Sequence, residues 1–158
     1  MTVDKLADTN GDVKCAILQV NQSFSVSSGT VTADTIKYVA DTLAITGSDA
    51  VNLSGGVLKA VTVNSSADST LGADITSLTL QTGDTGTVTL TGGMIATITQ
   101  QDGNLDVTKT VTVGTLDLSG GTTTISGTLI LSDADVKIGK DAVITPKIHL
   151  EVGRVRLI

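Results

Sequence analysis

Residues 104–158 read NLDVTKTVTVGTLDLSGG (104–121), TTTISGTLILSDADVKIGK (122–140) and DAVITPKIHLEVGRVRLI (141–158). Laid under one another, the three blocks align. The second and fourth residues of each form a pair: Leu105/Val107, Thr123/Ile125 and Ala142/Ile144. The eighth and tenth also match: Val111/Val113, Leu129/Leu131 and Ile148/Leu150. A third pair is Leu116/Leu118, Val136/Ile138 and Val155/Leu157, two residues further along in the second and third blocks, as if one corner were longer. Residues two apart share one side of a strand. Each block therefore holds three very short strands. The corners between them carry Ser119-Gly120-Gly121, Ser126-Gly127, Ser132-Asp133 and Gly139-Lys140, residue types that accept turn geometry.

Three strands in a fixed period is the pattern of a three-sided β-solenoid, in which stacked coils bury the inward pairs as one column. Composition agrees. Of 158 residues 40% are apolar, yet the only aromatics are Phe24 and Tyr38. A core without rings is built from Val, Ile, Leu and Ala, and β-branched residues favour pleated surfaces. The chain has 27 Thr, 17 Gly and one proline, Pro146. One cysteine, Cys15, rules out an internal disulfide framework. The missing aromatics argue against a stacking platform for single-stranded nucleic acid.

Upstream the period is looser. Plausible coils are 21–40, 41–63, 64–84 and 85–103, with strand pieces such as Leu43-Ala44-Ile45, Leu78-Thr79-Leu80 and Val88-Thr89-Leu90. A Leu-Ser/Thr-Gly-Gly turn recurs at Leu53–Gly56, Leu90–Gly93 and Leu118–Gly121. The first interval is two coils and the second is no whole number of coils. About seven coils at ~4.8 Å give a stub ~35 Å tall. Residues 1–20 fall outside the period. Asn10-Gly11 between two apolar runs predicts a hairpin or docking arm there, leaving 21–158 as the repetitive β domain. A trimeric β-prism wound from three chains has the same pattern. A β-sandwich or jelly roll, with similar turn spacing, is the alternative fold.

Acidic residues outnumber basic ones, 16 to 10, for a net charge of −6. A phosphate-backbone binder shows the reverse, so nucleic acid is not an expected partner. All the acids but Glu151 are Asp, which suits turns. Basic residues gather at the end: Lys137, Lys140, Lys147, Arg154 and Arg156. Lys147, His149, Arg154 and Arg156 alternate outward there beside Leu157 and Ile158, and this rim is the expected partner-binding surface. No basic n-region with an apolar stretch opens the chain, and no apolar run approaches a membrane span. The expectation is a protein made in the cytoplasm with no membrane partner.

Chemistry-bearing residues are sparse. Asp8, Asn10 and Asp12 alternate as at the start of a Ca²⁺ loop, but Gly stands fourth and position twelve is Gln19. They read as a turn, and no metal is expected. His149 is the sole histidine and reads as a surface residue. Cys15 lies in an apolar run and reads as a buried thiol. Asp106, Asp117, Asp133 and Asp135 lie on or near outward positions without long loops to form a cleft, so no glycosidase pair is expected. Thr-x-Thr pairs at Thr87, Thr97 and Thr108 are about ten residues apart and belong to different faces, which disfavours an ice-binding rank. No catalytic role and no cofactor are expected.

The Thr/Val/Gly coils of 85–158, turns such as Leu118-Ser-Gly-Gly and the distinct N-terminal segment resemble tailed-bacteriophage virion proteins of solenoid or prism architecture. These include head decoration (cement) proteins and the shafts of fibres and tailspikes. The resemblance implies a homotrimer docked on a particle, located in the virion. With a short body and no aromatic sugar-binding residues, the expected role is a capsid decoration protein that bridges major capsid subunits, docking through 1–20 or the basic rim. A receptor-binding tail fibre or spike is the alternative. A small carbohydrate-active or ice-binding solenoid is a third class.

Overall fold

Every strand pairing described in the computed structural model is parallel, and each joins a segment to the next coil of the same chain. The structure describes residues 1–8, 11–26, 29–48, 50–131, 135–146 and 155–157, with side chains for 1–2, 13–19, 32–33, 43–48, 51–131 and 135–145. All-parallel pairing excludes the antiparallel sandwich and jelly roll. Pairing within one chain makes a single-chain solenoid instead of an intertwined prism.

A short strand and four long ones come first: β1 (Thr2–Asp8), then β2 (Gly11–Val26), β3 (Gly29–Gly47), β4 (Ala50–Ser65) and β5 (Ser69–Leu80). Then follow β6 (Thr87–Leu90), β7 (Met94–Gln100), β8 (Asn104–Val107), β9 (Thr110–Leu118) and β10 (Thr122–Ile125). The last are β11 (Thr128–Leu131), β12 (Val136–Ile138), β13 (Val143–Pro146) and β14 (Val155–Leu157). In β2 to β4 the ladder runs through the corners, so one strand covers almost a whole coil. Downstream, Gly- and Ser-rich corners break it into pieces.

The registers define three faces. On the first face Cys15, Ala33, Leu53, Leu71, Leu90, Val107, Ile125 and Pro146 are successive partners. The second carries Leu58, Ile75, Ile95, Val113 and Leu131. On the third the partners are Leu6, Phe24, Leu43, Val61, Leu78, Ile98, Leu116, Val136 and Val155. Where side chains are described, these columns are the core: Leu43, Leu58, Leu71, Leu78, Leu90 and Ile98 have no exposed surface. Nine positions at ~4.8 Å give a height of ~38 Å.

The expected N-terminal hairpin is corrected. β1 runs parallel to β2, with Thr2 opposite Gln19 and Leu6 opposite Phe24. β2 also crosses the expected boundary at residue 20. Parallel pairing stacks β1 on the next coil, which a hairpin across Asn-Gly could not do, because a hairpin makes its two strands antiparallel. A second correction concerns the last block. Thr123 faces Ile144, not Ala142, and Ile125 faces Pro146. The corner around Gly139-Lys140 absorbs the two extra residues.

The Gly-Gly turns explain their own spacing. Leu53 and Leu90 lie in the first-face column, two coils apart, whereas Leu118 lies on the third face beside Leu116. At Gly93 φ is +103°, and a Cβ there would stand 2.3 Å from the Ala73 carbonyl oxygen of the preceding coil. Both the left-handed backbone and the close approach demand glycine. Gly93→Ala should lower stability by about 1–3 kcal/mol. Thermal or urea denaturation followed by circular dichroism measures this, and an unchanged midpoint would refute the close approach.

Candidate interaction surface

The solenoid presents three outward surfaces of different character. On the third face the outward residues flank the inward column. Ala60, Ser77, Thr97 and Thr115 are register partners, as are Ala44, Thr62, Thr79, Thr99 and Asp117. All are half-buried, as expected for short side chains in a flat sheet. Thr97 and Thr99 therefore stack on Ser77 and Thr79, once per coil. Thr87 and Thr89 do lie on another face, the first.

The second face mixes aliphatic and polar residues. Outward positions there include Val57, Met94 and Ile130, at 52%, 62% and 43% exposure, together with Lys59, Asp74 and Thr112. Val57 is paired with Asp74, and Met94 and Ile130 are both paired with Thr112. The Asp74 carboxylate accepts the Met94 N–H at 2.8 Å, tying adjacent coils. Beside this ridge runs a shallow groove of about 180 Å³ lined by Val57, Asp74, Ile75, Thr76, Met94 and Ala96.

The basic rim is only partly within view. Lys147, His149, Arg154 and Ile158 lie outside the described residues. Arg156 and Leu157 belong to β14, opposite Lys137 and Ile138. Lys137 in turn faces Asp117, with its Nζ 3.7 Å from Oδ2. The backbone register thus sets Asp117, Lys137 and Arg156 in one column of mixed sign. That exposed pair contributes little stability by itself.

The remaining expectations divide in the same way. Asp106 and Asp117 stand on the first and third faces, so they are not brought together; Asp135 is exposed, and Asp133 lies outside the described residues. Cys15 is half-buried against the core edge, less sealed than expected. Asp8 ends β1 and Asp12 opens β2, while Asn10 lies outside the described residues. Among the described residues, no group of three or more His, Cys, Asp or Glu is placed to hold a metal.

Sequence reasoning missed the polar groups inside. Gln100 has no exposed surface and sits in the third-face series between Leu80 and Leu118. Its amide donates to the carbonyls of Gly103 at 3.0 Å and Thr122 at 3.1 Å, and its Oε1 accepts the Thr123 hydroxyl at 2.5 Å. Every demand of this buried amide is met. Asp84 is different. It is 1% exposed, and Oδ1 accepts the Ser65 N–H at 3.1 Å. Oδ2 has no partner and abuts Gly103, where a Cβ would come within 2.6 Å. In the sequence Asp84 sits within Thr82-Gly-Asp-Thr-Gly and reads as an ordinary turn. Only the stacking of the next coil buries it.

Burial pushes the Asp84 carboxyl above its usual 3.8, and the nearby Asp102 charge adds to this, against the N–H groups of Ser65, Gly86 and Thr85. The folded chain therefore holds a proton that the unfolded chain has released, in the window from 3.8 up to the raised value. Stability falls as pH rises through that window. Asp84→Asn stays neutral and should abolish this fall. The variant should melt above the parent near pH 7, and the gap should close near pH 3. Parallel pH-dependences in the two melting curves would contradict the assignment.

Comparison with protein-family models, curated proteins and solved structures gives no match to this chain.

Proposed function

We infer that the protein is a structural component of a bacteriophage particle, a capsid decoration protein that binds across joints between capsid subunits. The supporting observation is the parallel ladder that joins all the described strands from β1 to β14 in one sheet. From β2 to β12 each coil is held to the next by main-chain bonds on three sides, so load on one face is spread over the stack. Such a body resists deformation without any catalytic machinery. Its role would be to add buried area across a joint, and ~1,000 Å² or more is needed for stable docking. Oligomeric docking would multiply modest contacts. Electron microscopy of purified particles, with antibody against the chain, tests this. Label distributed over the icosahedral shell is the expected result. Label confined to the tail favours the fibre reading, and absence of label from particles removes both.

A second reading is favoured by one observation, the third-face stack of Ser77/Thr79 under Thr97/Thr99 with Ala60/Thr62 and Thr115 continuing it. Methyl and hydroxyl groups repeat there at ~4.8 Å between coils and ~6.6 Å along each strand. A flat, rigid array of this kind suits an ordered lattice of water. Thermal hysteresis above buffer background would be expected on this reading, with loss on Thr97→Lys. Freezing indistinguishable from buffer refutes it.

A further inference from the structure

We propose that residues 81–86, the corner leading from the third face to the first, form a pH-operated latch, closed while Asp84 holds a proton and loosened when that proton passes to solvent. The starting point is where the interior is polar. The described residues include five buried polar side chains, Ser65, Ser69, Asp84, Gln100 and Thr123. All five flank this one corner of the solenoid. Ser65 closes β4 and Gln100 closes β7, both at the end of the third face. Ser69 opens β5 and Thr123 lies in β10, both on the first face, and Asp84 sits between β5 and β6.

Four of the five are satisfied. Ser65 Oγ accepts the Ala67 N–H and Ser69 Oγ accepts the Val51 N–H, each at 3.1 Å, and the Thr123 hydroxyl donates to Gln100. Asp84 is the exception. Oδ1 accepts the Ser65 N–H of the preceding coil, while Oδ2 has no partner. A neutral carboxyl tolerates such a place. A carboxylate there is a buried charge with one oxygen bare, which a protein interior strongly disfavours. The charges around it give no relief. Asp102, in the corner of the next coil, is like in sign and acts on it directly. Asp68, in the corner of the preceding coil, is turned to the Thr87 N–H at 2.9 Å, and Asp106 in β8 stands outward on the first face. No described basic side chain bonds to Asp84.

The corner can respond without unfolding its coil. Residues 81–86 are the longest fully described connection between strands, and all but Asp84 and Gly86 are exposed. Three of the bonds that hold it to the preceding coil meet at Ser65. The Thr85 and Gly86 N–H groups donate to the Ser65 carbonyl at 3.2 and 2.8 Å, and the Ser65 N–H donates to Asp84 at 3.1 Å. When the carboxylate turns to water, these three bonds part together. The ladders on either side, Val63 with Leu80 and Leu71 with Leu90, stay closed. Openings of this local kind belong to exposed, thinly packed segments. The latch is an event within the folded state, distinct from the loss of global stability with pH, and it does not depend on the virion role.

Amide hydrogen exchange of the full chain, followed residue by residue by NMR at pH 3.5 and pH 7 and referenced to unfolded-chain rates at each pH, tests this. Protection at Ser65, Thr85 and Gly86 should be at least about threefold lower at pH 7. It should not respond to low urea, because the opening exposes little surface. In Asp84→Asn the fall should vanish. Asp102→Asn keeps an acceptor for the Gly83 N–H and removes the like charge, so its fall should be smaller than the parent's. Protection that ignores pH, the same fall in either variant, or corner amides that respond to urea as steeply as those of Leu71 and Leu90 would overturn the proposal.

Discussion

Everything in this molecule hangs on one constraint: each strand must take its hydrogen-bond partners from the coil before and the coil after. The ~4.8 Å spacing of parallel strands then fixes where every side chain lies. Inward residues stack on like residues, and a column has room only for what packs on itself at that spacing. Leu, Ile and Val do so, which is why the chain reaches 40% apolar residues with two aromatics. Outward residues also stack, so an outward surface is a set of rows and not a random mixture. The ladder has one weakness. It breaks at corners, and there the freed N–H and C=O groups need other partners.

That need explains some of the acids. Asp68 accepts the Thr87 N–H at 2.9 Å, Asp74 that of Met94, and Asp102 that of Gly83 at 3.1 Å. Ser119 and Ser126 donate to the carbonyls of Gln100 and Val107 on the preceding coil. These are short side chains reaching one coil away, a distance that suits Asp and Ser better than Glu or Gln. With Asp84 on the Ser65 N–H, four of the sixteen acids are staples between coils. The composition invites a reading in terms of partners, while the hydrogen bonds assign these four to the fold.

The period was legible where coils are regular. Leu105 against Thr123, Val111 against Leu129, Leu116 against Val136 and Val136 against Val155 all follow from aligning the blocks. It was illegible where coil length varies. The step is 17 residues from Thr87 to Asn104 and 21 from Thr122 to Val143. Register also slips between Ser54 and Val57, where Gly55 and Gly56 both take positive φ. A corner that absorbs residues leaves no mark in an apolar pattern. The N-terminal hairpin failed for a related reason: Asn-Gly is a strong local signal, and stacking on a neighbouring coil is invisible locally. Of the interaction surfaces, the basic rim was visible as charge. The second-face ridge was not, because Val57, Met94 and Ile130 look like core until the register shows they point out.

The three outward rows are held by one ladder but need not share a task. Changing an outward residue leaves the inward columns intact, so each face is free to carry its own chemistry, and a fold of this kind does not dictate one. The first face bears Thr, Asn and Asp, the third Ser, Thr and Ala, and either set is well hydrated. The second is the exception. Polar residues would fit there at no cost to the core, as Thr112 does between Met94 and Ile130. Aliphatic side chains at 43–62% exposure keep about half of their surface in water, an exposure the core does not require.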